Sequence, residues 1–260
     1  MSFNISKKAW SRYIATLRKV NDAATQKILY YVQEFGMPTT QDALNDLIDA
    51  AYVIASEYGE AAAALAAQFY DAAASLSGAI VSPALPAPGP TIEDVARTIV
   101  GTVQTGNAEI VSAAIGRLVK LQGVDTTMQN ALRDGAEWAW IPSGDTCAFC
   151  ITLASRGWQK ASKKALKNGH AEHVHANCDC TYAVRFDGRS EVAGYNNGAD
   201  ALQIYNNVDL DGEADTPDNR INAIRRRLYA ENRAEIRAQQ ASAYEKRKEL
   251  ESSAAEEAKL

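Results

Sequence analysis

A chain of 260 residues, 47% hydrophobic and 23% charged, can bury a core in one domain or two small ones, which excludes a disordered chain. Its formal charge of −5 excludes a dedicated nucleic-acid binder, because neutralising phosphates takes a net basic surface, although local basic patches remain allowed. No stretch approaches the roughly 20 apolar residues of a membrane span. The start, Met1-Ser-Phe-Asn-Ile-Ser-Lys-Lys, lacks the apolar core of a secretory signal.

From about Asn4 to Val32, Ile5, Trp10, Tyr13, Ile14, Leu17 and Val20 recur at helical spacing with cations between them. Gly36-Met-Pro38 ends that helix. Thr39 offers the next N-cap with Asp42 three residues on, and Leu44, Leu47, Ile48, Ala51 and Ala55 form an apolar stripe. Gly59 is expected to interrupt this pattern, and the Ala-rich run beyond it ends at Gly78. Ser82-Pro-Ala-Leu-Pro-Ala-Pro-Gly-Pro90 carries four prolines and predicts an extended connector. Thr91-Ile-Glu-Asp94 then opens a second helical stretch, expected to reach about Trp140 with breaks near Gly106 and Gly123. Thr181-Tyr-Ala-Val-Arg-Phe186 is the best strand candidate. Residues 187 to 215 read as irregular, and Thr216-Pro217-Asp218 caps a final helix dense in Arg, Glu, Lys and Ala.

All four cysteines lie in one short region, as Cys147-Ala-Phe-Cys150 and Cys178-Asp-Cys180, with His173 and His175 beside the second pair. Thiolates and imidazoles gathered this way usually hold zinc, which takes four such ligands in a tetrahedron, and a reducing cytosol favours metal over disulfides. The candidate ligands are Cys147, Cys150, Cys178, Cys180 and either His175 or His173, so five donors compete for four places. Unmetallated thiols and disulfides are the competing readings. Four sulfur-rich ligands leave no open position for water, so the zinc expected here is structural. His170-Ala-Glu172 matches one element of the zinc deaminases, but their Cys pair follows that element after a proline, whereas here a Cys pair precedes it.

The ordered run Trp140-Ile-Pro-Ser-Gly-Asp-Thr-Cys-Ala-Phe-Cys-Ile-Thr-Leu-Ala-Ser-Arg-Gly157, followed by His175-Ala-Asn-Cys178-Asp-Cys180, resembles the minor head proteins of tailed bacteriophages. These form the Mu F-like head morphogenesis family, and the likeness is to its actinophage-type branch. Ala64-Leu-Ala-Ala-Gln-Phe-Tyr-Asp71 resembles the helix that precedes the domain in that branch. The resemblance spans roughly residues 40 to 186. Ala176 stands where the family usually has proline, and Asp179 where arginine is common.

The resemblance implies a virion structural component of the phage head, made in the host bacterial cytoplasm and associated with the portal vertex. Its implied partners are the phage portal protein and capsid or scaffold proteins, with contact to packaged DNA and no membrane. Head assembly, DNA packaging or ejection is the implied role, without catalysis. Some relatives are labelled capsid maturation proteases acting on scaffold or capsid precursor, which is the alternative. Ser143 or Ser155 with His170, His173 or His175 would then supply nucleophile and base, although nothing in their spacing demands it.

Lys160, Lys163, Lys164 and Lys167 form a basic stretch inside the cysteine region, read as a solvated face or as a DNA or acidic-portal contact. Asn219 to Leu250 carries a thin apolar stripe suited to an assembly contact. The expected fold is mainly α. A helical bundle comprises an N-terminal region over 1–82, a Pro-rich linker over 83–90 and a second helical region over 91–140. A small zinc-pinned α+β knuckle with one short hairpin follows over 141–186, then an irregular linker over 187–215 and a long charged C-terminal helix over 216–260.

Overall fold

The computed structural model describes residues 5–143, 146–163, 180–196, 198–233, 237–238 and 241. The chain divides into two compact units, Met1–Leu202 and Gln203–Leu260. Among the described residues both are mainly helical, with one small three-stranded sheet in the first. No helix among them is long and apolar enough to cross a membrane.

Four helices build the bundle of the first unit: α1 (Lys7–Phe35), α2 (Gln41–Ser77), α3 (Ile92–Val103) and α4 (Ala108–Asp134). Each starts on a side chain that takes an orphan backbone N–H. The Ser6 hydroxyl accepts from the Ala9 amide at 3.2 Å and the Thr40 hydroxyl from Ala43 at 3.2 Å. The second cap is therefore Thr40, one residue later than Thr39. Thr91 and Asp94 form a reciprocal capping box, and Asn107 Oδ1 accepts from Glu109 at 2.8 Å. The core cluster draws on all four helices, with Ile28 and Val32 of α1, Leu47, Ala51 and Ala55 of α2, Val95 and Ile99 of α3, and Val111 and Ile115 of α4.

Two glycines expected to break helices instead lie inside them. Gly59 sits mid-way along α2 and Gly123 mid-way along α4, and both face the crossing of these two helices. A Cβ on Gly59 would collide with Gln122 Oε1, and one on Gly123 would approach the Ala62 carbonyl to 3.3 Å. The buried alanines Ala62, Ala63, Ala66 and Ala67 extend this thin-walled contact. The helix-propensity penalty of glycine is about 1 kcal/mol, and close approach of two long helices outweighs it.

The Pro-rich segment is no free joint. It runs as a strap along one face of α4, held by polar side chains at helical spacing. Arg133 donates to the Ser82 and Pro83 carbonyls at 2.7 and 3.0 Å. Asn130 makes a two-way pairing with Leu85, accepting its N–H at 3.0 Å and donating to its carbonyl at 2.8 Å. Thr126 accepts the Ala87 N–H at 2.9 Å, and Gln122 donates to the Ala87 carbonyl at 3.2 Å. From α2, Asp71 takes the Ala84 N–H at 2.8 Å. Prolines occupy strap positions whose missing donors need no partner.

α4 stops at Asp134 because Gly135 takes a left-handed conformation, with φ +66°. The helix expected to reach Trp140 is thus replaced by β1 (Glu137–Ile141), whose Trp138 and Trp140 alternate as strand residues do. β2 (Gln159–Lys160) and β3 (Thr181–Arg185) flank it in an antiparallel sheet of order β2-β1-β3, larger than the expected hairpin. Between β1 and β2 lies the short helix α5 (Ala148–Ala154). The stretch read as irregular contains α6 (Ala199–Asn206).

In the second unit, α7 (Pro217–Glu231) begins on Thr216, as its sequence predicts, with proline in the first turn. It closes at Asn232, whose N–H bonds to the Leu228 carbonyl at 3.0 Å. Of the long C-terminal helix expected over 216–260, α7 and the helical residues 233, 237, 238 and 241 are described, and the other residues beyond Asn232 lie outside the described set.

Asn130→Ala removes both bonds to Leu85 and should cost about 1–3 kcal/mol in urea unfolding, with faster amide exchange at Leu85 and Ala87. Gly59→Ala should release the same strap by displacing Gln122. A pH dependence follows at the end of α4. Asp134 accepts from Arg133 and, at 2.8 Å, from Tyr70. The Arg133 guanidinium, aided by that hydroxyl, holds its carboxyl below the usual range against the opposing effect of burial. A depressed folded-state pKa gives stability that is present above the unfolded value near 4 and lost as pH falls through the folded one. Asp134→Asn should therefore flatten the acid limb of a stability-versus-pH curve below about pH 4 while lowering stability at pH 7.

Candidate functional site

The cysteine region is organised by the sheet. β1 and β3 pair in the register Glu137↔Arg185 through Ile141↔Thr181, which brings the residues after Ile141 beside the residue before Thr181. Ser143 thereby donates its backbone N–H to Cys180 Sγ at 3.4 Å. Cys147 is the N-cap of α5, and its Sγ accepts the Cys150 backbone N–H at 3.4 Å. Cys150 and Cys180 are fully buried and Cys147 is half-buried.

Backbone N–H groups aimed at sulfur are what a thiolate or a thiolate ligand needs, and soft sulfur and imidazole donors suit zinc. Among the described residues, however, no group of three or more His, Cys, Asp or Glu side chains could hold a metal ion. The three described thiols do not complete a site by themselves, so the expected zinc-pinned knuckle has no support there. The other candidate ligands, His173, His175 and Cys178, lie outside the described residues, as do His170, Lys164 and Lys167. Lys160 and Lys163 are exposed.

Of the serines named for a protease, Ser155 is the C-cap of α5, and its hydroxyl donates to the Thr152 carbonyl at 2.8 Å. That is the turn-capping role its sequence context favours. Ser143 is engaged through its backbone, donating to Cys180 Sγ and receiving a weak contact from that thiol on its carbonyl at 3.8 Å.

Aromatic rings pack around the described thiols. Tyr182 lies edge-on to Trp138 and Trp140 at ring separations of 4.6 and 4.7 Å. Both indole N–H groups are buried without a hydrogen-bond partner among the described residues. The far end of α5 is tied down by Tyr195, whose hydroxyl reaches the Ala154 carbonyl at 3.4 Å. Burial pushes the Tyr195 hydroxyl up to about 12, so it stays a neutral donor throughout the physiological range.

A charged hub fixes the open side of the sheet, and sequence reasoning passed over it. The Arg185 guanidinium donates to Glu137 at 2.7 Å and to Glu191 at 2.8 Å while lying 4.5 Å over the Trp158 ring. Trp158 in turn donates its indole N–H to Glu191 at 2.8 Å. The available signal was the lone arginine at the end of an otherwise apolar strand, which needs a buried counter-charge. Glu191 also accepts the Ile5 N–H at its backbone carbonyl, 2.9 Å away, and Ile5 bridges in parallel to Val192. The start of α1 is thus stitched to the cysteine module.

Arg185→Leu strands two carboxylates and should destabilise the protein by about 2–3 kcal/mol in thermal or urea unfolding, with Trp158 emission shifted. Arg185→Lys should recover only part of this, because an ammonium lacks the planar fork and the stacking face.

No curated protein and no solved structure matches the chain. A family model does match, that of the VG15 protein family, over residues 4–207. The matched span begins one residue before the Ile5 bridge and ends just past the first unit, taking in the bundle, the strap, the sheet and every cysteine. The chain therefore belongs to the VG15 protein family, a family of viral gene products, which points to a phage-encoded protein.

Proposed function

We propose that this chain is a minor capsid protein of the phage head, a Mu F-like head morphogenesis component placed near the portal vertex. It acts in head assembly, DNA packaging or ejection through contacts with portal, capsid and scaffold proteins rather than through catalysis. The observation that carries the reading is the membership in a viral family over a span that includes the whole ordered run from Trp140 to Gly157 and on to Cys180. The geometry supports a structural role for that run. Its thiols receive backbone N–H groups, and the hydroxyl of Ser155 serves as a turn cap.

The same reading includes a structural zinc ion held by four of Cys147, Cys150, His175, Cys178 and Cys180. Zinc would supply tetrahedral cross-linking, with binding energy on the order of 10 kcal/mol for a module too small to hold itself together. In this chain, the Cys150 and Ser143 amides would help to carry the charge on Cys147 and Cys180.

Elemental assay of the purified protein should find one zinc per chain, lost in Cys147→Ser together with increased proteolysis across residues 141–186. Electrophoresis of phage heads should show Cys147→Ser depleted from the particle, and Ser143→Ala and Ser155→Ala incorporated normally. Uncleaved scaffold or capsid precursor in either serine variant, with the fold intact, would replace this reading with that of a capsid maturation protease.

A further inference from the structure

An open groove of about 590 Å³ runs between the first turns of α1 and the C-terminal half of α2, with Ile5, Tyr13, Leu65, Phe69 and Leu76 among its lining. Its floor is aromatic. The Tyr13 ring stacks on Phe69 at 4.1 Å, and Trp10 meets Phe69 edge-on at 5.5 Å. Leu76 remains 46% exposed, although it stands on the wall of an apolar trough. The charged residues of the lining are Lys8 and Arg12, both exposed and neither paired with a carboxylate among the described residues. They belong to a local excess. Residues 1–21 hold five cations, Lys7, Lys8, Arg12, Arg18 and Lys19, and no Asp or Glu, in a chain whose formal charge is −5.

We propose that this groove seats an amphipathic α-helix of a partner protein, whose apolar stripe is flanked by Asp and Glu. The stripe would fill the trough over Phe69 and Leu76, and the acidic flank would meet Lys8 and Arg12. Along α1 the lining runs from the N-cap Ser6 to Thr16, about 15 Å, or roughly three turns of a bound helix. A membrane plane or a DNA phosphate rail would engage the basic rim but leave the concave apolar floor wet. A second copy meeting this face with its own would bring cations against cations. The inference does not depend on where in the phage particle the chain resides.

The test uses the purified full chain and fluorescence anisotropy at low salt. One probe is a labelled helical peptide of about 16 residues, with Leu at i, i+4, i+7 and i+11 between Glu flanks; its control carries Lys in place of Glu. The acidic peptide should bind at least about tenfold tighter than the control. Arg12→Glu with Lys8→Glu should reverse that preference, and Leu76→Ser should weaken both peptides, with far-UV circular dichroism unchanged. Absent binding, equal binding of the two peptides, or indifference to the charge reversal overturns the proposal. So does phosphatidylglycerol-vesicle or duplex-DNA binding that depends on Lys8 and Arg12 while the acidic peptide fails to compete. A dimer seen by light scattering and dissolved by Arg12→Glu would assign the groove to a second copy instead.

Discussion

The exchange of hydrogen bonds between α4 and the Pro-rich strap is the constraint on which the bundle depends. Gln122, Thr126 and Asn130 are almost wholly buried, and burying an amide or hydroxyl without a partner costs more than most single contacts return. The strap has the complementary problem, since its backbone has no ladder to join. Each solves the other: helix side chains spaced four apart meet strap residues spaced two apart, so Asn130 serves Leu85 while Thr126 and Gln122 serve Ala87. Once the strap lies there, the end of α2 and the start of α3 are fixed at opposite ends of α4's polar row. α3 can then bring Val95 and Ile99 only into the core that α1, α2 and α4 leave open.

This arrangement also explains the glycine in the middle of α2. Gln122 must reach the strap with its amide nitrogen, and its oxygen then occupies the space beside Gly59. Any side chain there would force Gln122 off Ala87. One polar residue thus connects the α2–α4 crossing distance to the path of a segment about thirty residues away in sequence from either helix partner.

What was legible in the sequence follows the range of the interaction. Caps and apolar periodicity are local, so Thr91 with Asp94, Thr216 with Pro217, and the helical character of the four bundle segments could be read directly, while the unbroken length of α2 and α4 could not. Gly59, Gly123 and the prolines were read as punctuation because their reason sits on another element, at sequence separations of 35 to 51 for the strap. β1 was missed for a related cause: Glu137-Trp-Ala-Trp-Ile141 alternates only over five residues, and its partner strand begins at Thr181. Of the candidate site, the thiol pattern was legible and the sulfur-directed amides were not, because Ser143 reaches Cys180 only through the β1–β3 register. The Arg185 hub was invisible on the same ground, its two carboxylates and its indole coming from three separate segments.

Glu191 shows how these pieces act together. Its side chain grips both Arg185 and Trp158, while its backbone carbonyl takes the Ile5 amide; Ala193 returns a bond to the Ile5 carbonyl at 3.0 Å. One short stretch therefore holds the sheet with its side chains and the entry to α1 with its main chain. Side chains that loosen on the sheet would pull on the same peptide groups that position Ile5, which lines the basic groove. The Arg185 hub on β3 and the lining of that groove therefore share Glu191 and the peptide groups beside it, inside a single compact unit.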